Sequence, residues 1–178
     1  MKSDVILIDN QGNGFRDAVE QTRKAASFRG LSGKDSLHLQ LITEEMMSLA
    51  RSVTGEMKAS FWIEGDGNQF DLHLTTETVM DKKKRSQLIS AATSRRNDAA
   101  KGFLGKLRDI FEEAMTADAV HPPESLPQDL LADIPGNSFE EPEWDGFEKS
   151  VLRRLADQVK IGIRGGLVDM MVSKKISG

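Results

Sequence analysis

A carboxylate and two hydroxyls recur at helical spacing early in the chain. Glu44, Ser48 and Ser52 are four residues apart, so an α-helix places them on one face over three turns. Leu37 and Leu41 extend that face toward the N-terminus. Such a row could orient a water molecule, bind Mg²⁺ or meet a phosphate. Alternatively, this polar row is only the solvent-exposed side of a helix whose other side is buried.

A second candidate lies in a glycine-bearing segment further along. Gly102 and Gly105 would let the backbone approach an anion, and amide dipoles at a helix start favour negative charge. Lys101, Arg95 and Arg96 could add positive charge. The segment therefore predicts a phosphate contact, although glycines three residues apart are also typical of close helix packing.

The run from Leu41 to Ser52 resembles the N-box helix of GHKL (histidine-kinase-like ATPase) proteins. In that family an apolar-apolar-Ser/Thr-Glu run is followed, four residues after the Glu, by a metal-binding Asn. The resemblance implies that Glu44 is the general base or water-orienting residue, as in anti-sigma-factor serine kinases. It also places Ser48 where the family has its nucleotide- and metal-binding Asn, so metal binding here would use a hydroxyl.

The same resemblance assigns the other nucleotide contacts. The family's Asp-x-Gly motif, which recognises the adenine amino group, falls on a strand end that has no glycine here. Thr76 or Glu77 would then supply the acceptor. Residues Lys101, Gly102 and Gly105 correspond to the passage that receives the phosphates.

Two functions follow from a GHKL resemblance with degenerate motifs. The first is an ATP- and Mg²⁺-binding regulatory protein that controls a sigma factor or an anti-sigma antagonist, and, if active, is a serine/threonine protein kinase. The second is a non-catalytic interaction module with an altered or empty nucleotide pocket. A third possibility is an unrelated α+β binding domain. The resemblance also implies a homodimer.

Length and composition narrow the class of protein. The 178 residues suit a single domain, 1–178, with one core. Hydrophobic residues at 38% and charged residues at 29% indicate a globular protein without membrane spans, and we expect it in the cytoplasm. The absence of cysteine excludes disulfides and thiolate metal sites, and three separated histidines argue against a zinc centre.

Charge is strongly segregated along the chain. The stretch from Lys82 to Arg108 carries nine basic residues and one acid, Asp98, whereas Asp109 to Glu148 contains no Lys or Arg. Because the net charge is −4 and the basic block contains a single aromatic residue, Phe103, we do not expect nucleic-acid binding. The acidic stretch can instead neutralise the basic one within the molecule. All five prolines fall within it, which predicts an insertion over about 117–143.

The order of apolar patterns predicts an α+β fold, a mixed or antiparallel sheet with helices on one face, which the resemblance identifies as a Bergerat-type two-layer sandwich. Two hairpins are predicted from alternating strands joined by glycine-containing turns. The predicted strands are 5–8, 58–64, 69–76, 159–163 and 167–173, and the predicted helices are 15–28, about 34–53, one from near 81, 98–115 and 144–156.

Overall fold

A computed structural model describes residues 1–55, 58–99 and 146–176, and in it five strands form one sheet. Each strand takes up a run of alternating or continuous apolar residues, as predicted. The strands are β1 (Ile6–Ile8), β2 (Ala59–Asp66), β3 (Gln69–Glu77), β4 (Gln158–Arg164) and β5 (Leu167–Lys175). They lie in the order β1-β2-β3-β5-β4, and every neighbouring pair is antiparallel. The α+β prediction is therefore confirmed, with an antiparallel rather than a mixed sheet.

Two of the four described helices begin at a side chain that caps their first turn. The helices are α1 (Phe15–Phe28), α2 (Gly33–Thr54), α3 (Lys82–Ala91) and α4 (Gly146–Leu155). The hydroxyl of Ser32 accepts from the Asp35 amide before α2, and the carboxylate of Asp81 accepts from the Lys84 amide before α3. Gly14 precedes α1 with φ at 83°, and a Cβ there would lie 2.1 Å from the Leu7 carbonyl oxygen, so only glycine fits.

The core lies between one face of the sheet and the helices. Alternate strand residues, such as Phe61 on β2 and Leu72 on β3, are fully buried, while their neighbours are half-buried or exposed. All four helices contact strands on this side. The buried stripe predicted for α2 is confirmed at Leu39, Ile42, Met46, Leu49 and Val53. We call the opposite side of the sheet its open face.

The outer edge of β4 is covered by the residues that follow α3. Thr93 and Asp98 each exchange two hydrogen bonds with β4, at Val159 and Ile161. The Asn97 carboxamide donates to the Ile163 carbonyl at 2.9 Å and accepts from its amide at 2.8 Å. These contacts satisfy an edge that would otherwise offer unpaired backbone groups for association.

No helix among the described residues is long and apolar enough to cross a membrane.

Candidate functional site

The predicted polar row lies on the side of α2 that faces away from the sheet, and we call this side the outer face of α2. Glu44 is exposed and Ser48 is half-buried, one turn apart. The Ser52 hydroxyl donates to the Leu49 carbonyl at 2.9 Å, within its own helix. Glu44 and Ser48 therefore form a pair open to solvent.

Two leucines share the outer face of α2 with this pair. Leu37 is 66% exposed and Leu41 is 39% exposed. Leu41 stands between Leu37 and the polar pair, at spacings of three and four residues that place all of them on one face. The outer face thus combines apolar surface with a carboxylate and a hydroxyl.

At the end of β3, Thr76 and Glu77 point to opposite sides of the sheet, as successive strand residues do. Thr76 is 2% exposed, and its hydroxyl donates to the Lys58 carbonyl at 3.0 Å. Glu77 is exposed. The next residue, Thr78, donates its amide to the Gly166 carbonyl at 2.8 Å and thereby ties the end of β3 to the β4–β5 turn.

The structure groups Glu44 with Ser48 but does not bring Thr76 to them. Thr76 lies on the face of the sheet that the helices cover, whereas Glu44 lies on the side of α2 turned away from that face. Lys101, Gly102 and Gly105, the proposed phosphate segment, lie outside the described residues, as do nearly all of the predicted helix 98–115 and the insertion 117–143.

Sequence reasoning missed a cluster on the open face of the sheet. The rings of Trp62 and His73 stack with centroids 4.8 Å apart and an interplanar angle of 2°. Lys2 places its Nζ 5.6 Å from the Trp62 ring centre and 2.9 Å from a Glu64 carboxylate oxygen. The sequence signal for this stacking is a Trp on one strand directly opposite a His on the next. Recognising that signal requires the register between β2 and β3, which pairs Trp62 with His73.

The charge state of His73 follows from its surroundings. Burial lowers the pKa of His73, and this effect outweighs the attraction of Glu64 and Asp71, which acts in the opposite direction. The His73 Nε2 lies 3.9 Å from Glu64, too far for a hydrogen bond. The imidazole is therefore neutral at pH 7, and its contact with Glu64 is not an ion pair at that pH.

Within the described ranges, no group of three or more His, Asp or Glu side chains is placed to hold a metal ion.

No protein-family model matches this chain, and no curated protein matches it.

Proposed function

We propose that this chain is a protein-binding regulatory domain of the non-catalytic kind, which contacts its partner through the outer face of α2. The observation that carries the proposal is the exposure of Leu37 and Leu41 beside Glu44 on one side of a long helix. Protein interfaces commonly combine an apolar centre with a polar rim. The proposal keeps the GHKL-like, Bergerat-type architecture implied by the sequence, without nucleotide chemistry.

Two placements favour this function over catalysis. The Thr76 hydroxyl, a candidate adenine acceptor, is buried and already donates to a backbone carbonyl. Glu44, the candidate base, faces the solvent and not the helix-covered side of the sheet. Catalysis would require Glu44 to reach the hydroxyl proton of a protein substrate, because a base acts only within hydrogen-bond reach of the proton it abstracts.

Site-specific photo-cross-linking in the cells that express the chain tests the proposal. A photoreactive residue at Leu41 should capture one partner that the same residue at Lys24, an exposed position on α1, does not capture. Adding Leu37→Glu should abolish the product, because a charge would be buried in the interface. Identical products from both positions, or a product insensitive to Leu37→Glu, would overturn the proposal.

The second candidate function is an ATP- and Mg²⁺-binding regulator of the anti-sigma serine kinase type, with a sigma factor or its antagonist as partner. It is favoured by the placement of Glu44 and Ser48 together, open to solvent, at the spacing of the N-box.

Calorimetric titration of the full chain with ATP, with and without Mg²⁺, distinguishes the two functions. Absence of binding at millimolar nucleotide would eliminate this candidate. If ATP binds, Glu44→Ala should leave its affinity nearly unchanged and abolish phosphoryl transfer.

A further inference from the structure

Four exposed residues in the N-terminal half of α2 have a symmetric spacing along its outer face. Lys34, Leu37, Leu41 and Glu44 are separated by three, four and three residues. This is the a/d spacing of a coiled-coil heptad, so the four side chains form one narrow row, which we call the α2 seam. In the reverse direction the spacing of the seam is the same, but the charges at its two ends are exchanged.

The two charges of the α2 seam do not serve each other within one copy of the chain. Lys34 and Glu44 are ten residues apart, which is about 15 Å along an α-helix, whereas an ion pair requires a separation of about 4 Å. On the adjacent helix α1, Arg23 is already paired with Glu20 at 2.7 Å. The seam therefore presents one positive and one negative end on either side of two exposed leucines.

A second copy of α2 complements this seam when the two helices run antiparallel. With a two-fold axis at the level of Leu39, Leu37 of each copy packs against Leu41 of the other, and Lys34 of each copy faces the other copy's Glu44. A parallel pairing instead sets lysine against lysine and glutamate against glutamate, which is unfavourable. The antiparallel contact is isologous, because both copies use the same patch.

We propose that two copies of this chain associate through antiparallel pairing of their α2 seams. This pairing rests on the proposed function, since it requires the outer face of α2 to be a protein-binding surface. The GHKL resemblance implies a homodimer but assigns no surface to it, whereas the seam defines the surface, direction and register of the contact. Each copy contributes only two leucines to a small interface, so we expect a dissociation constant on the order of 0.1 mM.

Sedimentation equilibrium of the full chain between about 0.01 and 1 mM measures this association. The unchanged chain should pass from monomer to dimer over that range. Lys34→Glu should raise the dissociation constant about tenfold or more, because it turns two Lys–Glu contacts into two Glu–Glu contacts. Glu44→Lys should have the same effect through two Lys–Lys contacts. The matched control, Lys24→Glu at an exposed position on α1, should leave the constant unchanged.

Combining the reversed charges separates pairing of the seams from a general effect of either substitution. The double variant Lys34→Glu with Glu44→Lys should dimerise like the unchanged chain, because each seam again has one positive and one negative end. A mixture of the two single variants should also associate, since one chain then carries Glu at both ends and the other carries Lys at both ends. A fluorescent label on one chain identifies the mixed dimer. Far-UV circular dichroism and thermal unfolding confirm that each variant is folded.

Three results would contradict the pairing: a chain that stays monomeric at about 1 mM, a dimer that the single reversals do not weaken, and weakened dimers that neither the double variant nor the mixture restores. The photo-cross-linking at Leu41 in cells keeps this pairing distinct from the proposed function. If the purified chain is monomeric and Leu41 captures a different protein, the pairing fails and the proposed function stands. If the chain is monomeric and Leu41 captures no protein, both fail.

Discussion

At the scale of single residues, the side chain of Asn97 takes the place that the backbone of a neighbouring strand would occupy beside β4. Its carboxamide pairs with both the amide and the carbonyl of Ile163, as a residue on a neighbouring strand would. Asn97 is 8% exposed. Loss of the side chain would therefore leave a donor and an acceptor on β4 poorly hydrated, and each such group costs about 1–3 kcal/mol.

We predict that Asn97→Ala lowers the free energy of unfolding by about 2 kcal/mol, measured by urea denaturation. Asn97→Asp should also destabilise, since the carboxylate keeps the acceptor but cannot donate to the Ile163 carbonyl. Ser94→Ala is the matched control, because its hydroxyl makes only exposed contacts at 3.3 Å. A change for Asn97→Ala no larger than the control would show that water replaces the amide without cost.

His73 gives the protein a second residue-scale property, a dependence of stability on pH. Because burial lowers the pKa of His73 in the folded protein, the unfolded chain binds the proton more tightly. The contribution of neutral His73 to stability is complete above about pH 6.5, the unfolded pKa, and declines as the pH falls toward the folded pKa. Facing charges come from Glu64, Lys2, Asp71 and Asp169.

We predict that the free energy of unfolding falls between about pH 7 and pH 5, and that His73→Phe makes this fall smaller. Phenylalanine keeps the stacking surface against Trp62 and does not titrate. The pKa values of Asp9 and Asp157 are lowered by their hydrogen bonds, so those carboxylates weaken the fold only at lower pH, near and below about 4. An unchanged slope in the variant would assign the effect to another group.

At the scale of elements, two buried threonines join α1 to α2. The Thr22 and Thr43 hydroxyl oxygens are 2.8 Å apart, and each also lies within hydrogen-bond distance of a carbonyl one turn earlier in its own helix. Two hydroxyl protons cannot serve all three contacts at once. The pair therefore aligns the helices but is not fully satisfied.

A double-mutant cycle tests this pairing. We predict that Thr43→Val alone costs about 1 kcal/mol of unfolding free energy, because it leaves the Thr22 hydroxyl facing a methyl group. Thr22→Val with Thr43→Val should cost less than the sum of the single changes, since valine has the same shape and no polar group remains unpaired. Additive costs would mean that the two hydroxyls do not interact.

The elements themselves could be predicted, because their signals are local. Gly14 and Gly30 bracket the α1 that the sequence predicts from Phe15 to Phe28, and the alternation of Phe70, Leu72 and Leu74 identifies β3. Contacts between distant elements have no such signal. Asn97 meets Ile163 across 66 residues, and nothing around Asn97 in the sequence indicates that its side chain completes a sheet edge.

At the scale of the molecule, the candidate site also combines local features that the sequence predicts with long-range contacts that it does not. Periodicity placed Glu44 and Ser48 on one face of α2, and the structure confirms that face. Whether Thr76 points toward that face depends on the packing of α2 over the sheet, which periodicity does not define. The hydroxyl of Thr76 is directed to the Lys58 carbonyl instead, a contact set by the pairing of β2 with β3.

The whole molecule yields a last prediction, because the five described strands pair with one another and all lie outside residues 100–145. Strand β5 pairs with β3 from the first half of the chain and with β4 from the second, and the core residues of all five strands belong to the described ranges. We predict that deleting residues 122–142, which contain all the prolines, preserves a single cooperative unfolding transition in calorimetry. The deletion leaves 25 residues between Ala99 and Gly146, enough chain to connect them. Loss of cooperativity would show that residues 122–142 contribute to the core.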